Sequence, residues 1–230
     1  LLIISIVAFS IWNLSKQYKK LSKGELITQL EVDTIPFSYS SSGHILIQAS
    51  INGSQSKYPF ILDCGASNII FKNSNTDFNL KSNGFGIGIG ASGNVFTSKI
   101  KEIDSLQIGK IKFRYLNAKE ISFNTDCPDE AYGLIGTGIM HHLDWQFDFE
   151  NELVFVSPTS ENFQINDTAI FIPLNVNKHS NHLKTPIKFR ANKKLHWVLI
   201  DTGNSGALQL KEKRIVNDSL NFQVKNYFFN

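Results

Sequence analysis

Two apolar runs along the chain each end in a short acidic loop. The run Tyr58–Leu62 leads into Asp63-Cys64-Gly65-Ala66-Ser67, and Trp197–Ile200 leads into Asp201-Thr202-Gly203-Asn204-Ser205, 138 positions later. Short apolar runs that end at a glycine turn predict buried strands. Burying an unpaired carboxylate is costly unless another group shares its proton or hydrogen-bonds it. We therefore interpret the two aspartates as partners of each other.

The rest of the pattern predicts an all-β protein. The segment His44–Ile51 alternates roughly between apolar and polar residues, and the Asn52-Gly53 pair after it favours a tight hairpin turn. Ile35-Pro36-Phe37 matches Ile172-Pro173-Leu174 at an offset of 137, close to the offset between the aspartates. An internal repeat of this kind predicts two related lobes.

Residues 84–94 form a glycine-rich segment after the first acidic loop. A phosphate-binding loop is disfavoured, because neither a helix-forming stretch nor Lys-Ser/Thr follows. A mobile hairpin tip, here called the flap, fits better because glycine permits sharp bends and close backbone approach. Residues 95–103 are predicted as its return strand and 103–109 as another strand and turn. The predicted flap residues are Gly86, Ile87, Gly88, Ile89 and Gly90.

Composition is that of an ordinary globular protein, with 42% hydrophobic and 19% charged residues among 230. The net charge is +3, and the lysines are spread along the chain rather than clustered as in a nucleic-acid-binding surface. Only two cysteines occur, Cys64 and Cys127, and their spacing predicts no zinc site. A disulfide between them is an open alternative, although a chain of this size needs none.

The N-terminus differs in kind from the rest of the chain. Residues 1–14 are nearly all apolar, and four lysines follow by position 23. The run is shorter than the ~20 residues that cross a bilayer, but the chain does not begin with Met. We interpret 1–14 as a truncated signal-peptide core or membrane anchor and 15–33 as a linker, helical around 16–30. The protein is expected to be membrane-anchored or exported, with the extracytoplasmic side favoured and the orientation left open.

These features resemble the pepsin and retropepsin clan of aspartic proteases, and more narrowly the bacterial retropepsin-like proteins that carry two such units in one chain. Tyr132-Gly133-Leu134-Ile135-Gly136 matches the family's second hallmark, two apolar residues and a glycine on the strand behind the catalytic loop. Segments 141–149 and 153–156 match its short helix and closing hairpin. The resemblance implies an all-β, pepsin/retropepsin-like acid protease fold, with one complete lobe at 34–157 and the start of a second at 170–230.

The second unit stops early by comparison with the first. The first continues for 93 residues from Asp63 to its end at Val156, whereas 29 residues follow Asp201. We therefore expect the sequence to be a fragment, with a second flap and a second apolar-apolar-Gly strand encoded beyond it.

The resemblance implies an aspartic endopeptidase in which Asp63 and Asp201 are the catalytic pair. Two adjacent carboxylates share one proton and activate a water between them. No metal or organic cofactor is required. The expected partner is a peptide or protein substrate rather than nucleic acid, with the lobes pairing within one chain.

The resemblance also assigns residues that brace the two loops. Thr202 is expected to hydrogen-bond across the lobe interface, and Cys64 stands where the family has Thr or Ser. Because a thiol is a weak donor and acceptor, this brace is expected to be weakened on one side. The predicted loop-bracing residues are Cys64, Gly65, Ser67, Thr202, Gly203 and Ser205.

Three other interpretations are weighed against the protease. A catalytically impaired peptide-binding or structural relative would keep the fold while Cys64 relaxes the site. A β-barrel binding module with accidental Asp-Gly turns would leave the internal repeat unexplained. A cysteine nucleophile at Cys64 lacks an identifiable histidine base.

Overall fold

The computed structural model describes residues 2–29, 31–72, 78–90, 93–122, 130–188 and 195–204, with side chains described from residue 12. The helices are α1 (Leu2–Leu21) and α2 (Thr137–Met140), and a 3-10 turn spans Ser160–Asn162. The strands are β1 (Glu25–Leu26), β2 (Asp33–Tyr39), β3 (Ile45–Ile51), β4 (Tyr58–Leu62), β5 (Ile69–Phe71), β6 (Lys81–Ile89), β7 (Val95–Ile108), β8 (Ile111–Ile121), β9 (Gly133–Ile135), β10 (Asp144–Asp148), β11 (Leu153–Ser157), β12 (Asn175–Val176), β13 (Leu183–Lys188) and β14 (Leu195–Leu199). The prediction of an all-β protein is confirmed.

The larger sheet contains β1 to β11 in the order β10-β11-β2-β3-β4-β9-β5-β8-β7-β6, with β1 paired to β8. Strand β9 inserts between β4 and β5, running parallel to β4 and antiparallel to β5. The chain thus returns from a distant point in the sequence to fill the gap that the Asp63 loop opens between β4 and β5. This crossing holds both ends of the loop in register.

The core is built from aliphatic and aromatic residues on the inner faces of these strands. Strands β4, β5 and β9 are buried almost throughout, which explains why the sequence around them is continuously apolar rather than alternating. Full burial of one such side chain contributes about 1.5–3 kcal/mol. The largest fully buried side chains are Phe60, Phe113, Ile47, Ile51, Ile61, Leu62, Ile100, Ile103, Leu106, Ile108, Ile111 and Leu116.

The smaller sheet, β12-β13-β14, lies within the predicted second unit. Strand β13 pairs antiparallel with β14, and β14 leads into Asp201 as β4 leads into Asp63. Side chains on this sheet are more exposed than those of the larger sheet, with Trp197 at 49% and Leu199 at 40%. The position of the two acidic loops at strand ends follows the sequence prediction.

The N-terminal helix packs against the larger sheet. Leu21 at its end is 2% exposed, and the next segment turns at Gly24 into β1, which pairs with β8. The prediction of helix as far as residue 30 is therefore wrong, because residues 25 and 26 hydrogen-bond as a strand. No helix among the described residues is long and apolar enough to cross a membrane. Export or anchoring stays a prediction.

Two further local predictions need correction. The strands predicted at 95–103 and 103–109 are one continuous strand, β7, of 14 residues. Asn52 and Gly53 do adopt the left-handed conformations of a tight turn, with φ of 50° and 74°. However, pairing of β3 with β4 begins only at Ala49 and Tyr58, so the connection is longer than a two-residue hairpin.

Candidate active site

The first acidic loop is held by strand β9 and the start of α2. The amide of Asp63 donates to the carbonyl oxygen of Ile135 at 2.9 Å, and the amide of Thr137 donates to that of Ala66 at 2.8 Å. Leu134 lies opposite Ile61 and Ile69 on the neighbouring strands. The apolar-apolar-Gly segment therefore lies behind the Asp63 loop, where the resemblance places it.

The two aspartates meet at the junction of the two units with matching local geometry. Each carboxylate accepts a bond from the amide two residues on, Gly65 to Asp63 at 2.8 Å and Gly203 to Asp201 at 2.9 Å. A Cβ on Gly65 would lie 2.6 Å from both carboxylate oxygens of Asp201, and one on Gly203 would lie 2.5 Å from Oδ2 of Asp63. Each carboxylate thus packs on the glycine of the other loop, and only glycine leaves that space.

Proximity changes the ionisation of Asp63, which is 9% exposed. Burial raises its pKa to about 7, and two effects of Asp201 add to the rise: its charge, and its acceptance of a hydrogen bond from the protonated Asp63 carboxyl group. Backbone amides of Gly65 and Ala66 oppose the shift without cancelling it. At neutral pH and below, the pair therefore retains a proton at Asp63, as two carboxylates in contact require.

Cys64 and Thr202 brace the loops across the interface. The hydroxyl of Thr202 accepts from the amide of Cys64 at 3.0 Å and donates to the carbonyl oxygen of Leu62 at 2.9 Å. In the mirrored position, the thiol of Cys64 accepts from the amide of Thr202 at 3.4 Å and donates to the carbonyl oxygen of Ile200 at 3.3 Å. Cysteine reproduces both contacts of the hydroxyl, at the longer distances that sulfur needs.

The same contacts describe the state of the thiol. Burial raises the pKa of Cys64, although its bonds with Thr202 act in the opposite sense. A protonated thiol is a poor nucleophile. Cys64 is a free cysteine, and Cys127 lies outside the described residues. The geometry therefore favours a bracing role for Cys64 over the nucleophile considered from the sequence.

Ser67 and Ser205 each follow an aspartate by four residues, and the resemblance implies that each hydrogen-bonds a catalytic carboxylate. Among the described residues, the hydroxyl of Ser67 makes no hydrogen bond with Asp63, which accepts from the amides of Gly65 and Ala66. Ser205 lies outside the described residues.

The glycine-rich segment forms the hairpin of β6 and β7. Its turn is closed by the amide of Gly93 donating to Gly90 and that of Gly90 donating to Asn94, both at 2.9 Å. Gly86 and Gly88 lie on the inner face, while Ile87 and Ile89 are exposed. The ring of Phe96 covers Gly88, where a Cβ would overlap it.

Sequence reasoning missed two residues near the site. Asn68 is 2% exposed, and its side chain joins three elements by accepting from the amide of Gly136 at 3.0 Å and donating to the carbonyl oxygen of Asn117 at 3.3 Å. Burial lowers the pKa of His182, and the charge of Asp201 opposes that shift. A signal for His182 was available, because it follows His44 by 138 positions, the same offset as between the aspartates.

Two solved structures show distant likenesses to this chain. A retropepsin-like aspartic protease from Rickettsia conorii is 19% identical with a TM-score of 0.36, over 56% of this chain and 94% of that one. Basic 7S globulin from soybean is 9% identical with a TM-score of 0.48, over 67% of this chain and 58% of that one. No family model matches the sequence, and neither does any curated protein.

At these levels of similarity, neither protein indicates what this chain does. The fold is instead recognised from the chain's own features: the crossing of β9 behind the Asp63 loop, the hairpin of β6 and β7, and the second acidic loop that faces the first. Its fold is the pepsin/retropepsin-like acid protease fold.

Proposed function

We propose that this protein is an aspartic endopeptidase that hydrolyses peptide bonds with Asp63 and Asp201. The observation that carries the proposal is the contact of two carboxylates across the interface, each packed on the glycine of the opposite loop. Burial and the neighbouring charge hold a proton on Asp63 near neutral pH. A pair with one proton and one charge supplies a general acid and a general base at the same point.

The first half of the reaction would form a tetrahedral intermediate. Asp201, as the charged member, takes one proton from a water, and the oxygen of that water attacks the carbonyl carbon of the scissile peptide bond. Asp63 gives its proton to the carbonyl oxygen, so that a gem-diol forms and no free oxyanion accumulates. After this step, the proton of the pair resides on Asp201.

The second half restores the pair. Asp201 gives its proton to the amide nitrogen and the carbon–nitrogen bond breaks, while Asp63 takes a proton from one hydroxyl of the gem-diol. The products are a carboxylic acid and an amine, and Asp63 is again protonated. No step requires a metal or an organic cofactor.

The contacts of Cys64 support a competent site rather than a relaxed one. Its thiol makes both of the bonds that the resemblance assigns to a hydroxyl. The loops are joined by four hydrogen bonds that involve Cys64 or Thr202, which fixes the distance between the carboxylates. These contacts therefore argue against the hypothesis of a catalytically impaired relative, which assumed that Cys64 relaxes the site.

The test is cleavage of a fluorogenic peptide library by the full-length protein, at acidic to neutral pH, with and without a chelator. Asp63→Asn and Asp201→Asn should each lower kcat/KM by at least ~1,000-fold, because either change removes the shared proton and charge. Asp104→Asn is the matched control, since Asp104 lies on β7 in an exposed ion pair with Lys81. The chelator should have no effect.

Two results would contradict the proposal. Cleavage that survives Asp201→Asn but is lost on thiol alkylation would indicate a cysteine-dependent enzyme. Peptide binding without cleavage in the folded full-length protein would indicate a binding relative. The N-terminal apolar segment is proposed to direct export or membrane attachment, which fractionation of cells that express the full-length protein would test.

A further inference from the structure

A largely buried lysine with no acceptor among the described residues lies close to the flap. Lys119, on β8, is 7% exposed, and its Nζ makes no hydrogen bond or ion pair within the described part of the chain. The ammonium lies over the ring of Phe96, 5.8 Å from Nζ to the centroid. Burial lowers the pKa of Lys119. Lysine is rarely buried unless it is paired, because desolvation of the charge is costly.

A buried hydroxyl lies on the same face of the sheet. Ile100 on β7 pairs directly with Lys119, so Ser98, two residues earlier, presents its side chain on the same face. Ser98 is 6% exposed, and its hydroxyl oxygen has no hydrogen-bond partner. An ammonium and a hydroxyl thus share one face of the sheet, and neither has an acceptor among the described residues.

Lys119 borders residues that surround the site. The amide of Lys119 donates at 2.9 Å to the carbonyl oxygen of Asn68, which follows the catalytic loop. Phe96, beside Lys119, covers Gly88 of the flap. The charges of both Asp201 and Lys119 act on His182 of the second unit, although burial is the larger influence on that imidazole. Lys119 therefore lies near the flap, the end of the catalytic loop and His182, and Ser98 pairs with Gly86 of the flap.

The missing partner is best matched by a carboxylate. Two donors with no acceptor call for an anion, and a carboxylate has oxygens enough to accept from both groups. Lys20 shows the contrast: its ammonium, close by, is satisfied by the carbonyl and side-chain oxygens of Asn83 at 2.7 and 3.2 Å. Lys119 has no such internal acceptor among the described residues.

We propose that Lys119 and Ser98 form a substrate subsite that selects an acidic side chain, so that the protein prefers peptides with Asp or Glu at one position near the scissile bond. This inference rests on the proposed endopeptidase function and specifies its substrate class. Specificity of this kind arises because an amide analogue leaves the buried charge unpaired.

The experiment compares peptide pairs that differ only by Glu against Gln, or Asp against Asn, at each position around the cleaved bond. With full-length wild-type protein, kcat/KM should favour the acid by ~10-fold or more at one position. Lys119→Met keeps the chain length without the charge and should reduce that ratio to near one. Ser98→Ala should reduce it partially. Lys112→Met, an exposed lysine on the same strand, is the matched control and should leave the ratio unchanged.

Binding separates this inference from the proposed function. The same peptide pairs are titrated into the Asp201→Asn variant, which binds without cleaving. If no peptide is cleaved but acidic peptides bind and Lys119→Met removes their advantage, the subsite stands and the endopeptidase proposal fails. If peptides are cleaved with no preference for acid at any position, or with a preference that Lys119→Met preserves, the subsite is overturned and the endopeptidase stands. Neither cleavage nor acid-dependent binding would overturn both.

Discussion

Cys64 and Thr202 exchange hydrogen bonds in a nearly reciprocal pattern. Each side chain accepts from the other residue's backbone amide and donates to a carbonyl oxygen of the opposite loop. The hydroxyl bonds measure 2.9 and 3.0 Å and the thiol bonds 3.3 and 3.4 Å, a difference that reflects the larger radius of sulfur. The substitution of a thiol for a hydroxyl thus lengthens one half of the brace but keeps its connectivity.

The reciprocal brace predicts unequal effects of three substitutions. Cys64→Ala should lower the free energy of unfolding by about 1–3 kcal/mol, because the amide of Thr202 and the carbonyl of Ile200 lose their partner. Thr202→Val is the matched change in the other loop and should lower the free energy of unfolding by at least as much. Cys64→Thr should be neutral or stabilising, since a hydroxyl makes shorter and stronger bonds. Chemical denaturation at pH 5 measures all three.

Activity provides the second measurement on this brace. Cys64→Thr should leave kcat/KM equal to that of wild type or higher, and Thr202→Val should lower it, because the carboxylates lose their fixed separation. An alanine at position 64 that leaves both stability and activity unchanged would show that the thiol bonds contribute nothing.

The sequence was sufficient to identify the acidic loops, because their chemistry is local. A strand, a carboxylate and a glycine turn are adjacent in the chain, and their repetition at a fixed offset marks Asp63 and Asp201 as a pair. The crossing strand around Ile135 was also predictable, through its resemblance to a family hallmark. The end of α1 was not, because residues 25 and 26 become a strand only by pairing with Phe113 and Arg114, far away in sequence.

The pKa of Asp63 predicts a pH-dependent stability. The folded protein keeps a proton on Asp63 until about pH 7, whereas the unfolded chain releases it near the ordinary pKa of an aspartate, 3.8. The folded state therefore binds more protons in this window, and the free energy of unfolding should fall, by a few kcal/mol at most, as pH rises from about 4 to about 7. Asp63→Asn should remove this component of the pH dependence.

Thermal unfolding at several pH values checks that prediction. Wild type and Asp63→Asn should differ little at pH 4, where the carboxyl is largely protonated, and the variant should be the more stable of the two at pH 8. Asp104→Asn controls for the loss of a surface charge, since Asp104 is exposed. If Asp63→Asn is equally destabilised at both pH values, ionisation of Asp63 does not destabilise the folded protein, and the substitution acts only through packing.

The proposed subsite residues, Lys119 and Ser98, could not be predicted from the sequence, for a different reason. Lys119 stands among polar residues of β8 and reads as a surface lysine, and its burial follows from the pairing of β8 with β5 and β7. Ser98 likewise occupies an ordinary position in a strand whose residues alternate between the two faces of the sheet. What makes these two residues informative appears only in the packed structure: Lys119 is largely buried, and the buried hydroxyl of Ser98 has no hydrogen-bond partner among the described residues.

The glycines of the two loops predict a steric test. Gly65→Ala places a Cβ 2.6 Å from the carboxylate oxygens of Asp201, well inside contact distance. The substitution should force the loops apart, lower kcat/KM by ~100-fold or more and destabilise the protein by about 1–3 kcal/mol. Gly203→Ala should act in the same way through Asp63.

A double-mutant cycle shows whether the overlap is the cause. In an Asp201→Ala background the clashing group is gone, so Gly65→Ala should cost less stability than it does in wild type. Equal costs in both backgrounds would mean that the substitution acts through the backbone of its own turn rather than through the opposite carboxylate.

Contacts between α1 and the flap lead to the last prediction. Strand β6 is the edge of the larger sheet, so alternate backbone groups have no strand partner. The side-chain amide of Gln17 fills this gap at Ile87, donating to its carbonyl oxygen at 2.5 Å and accepting from its amide at 2.7 Å. One amide thus pairs with the flap as a neighbouring strand would.

Removing this amide should loosen the flap without unfolding the sheet. In Gln17→Ala, hydrogen exchange at the amide of Ile87 should be ~10-fold faster, while amides of the buried strand β4 keep their protection. Gln17→Glu retains the acceptor for the Ile87 amide and should give an intermediate exchange rate. Lys19→Ala, at an exposed position on the same helix, should leave the exchange rate unchanged. Faster exchange throughout the sheet in Gln17→Ala would instead mean that α1 stabilises the whole sheet. Unchanged exchange at Ile87 would show that the helix does not restrain the flap in solution.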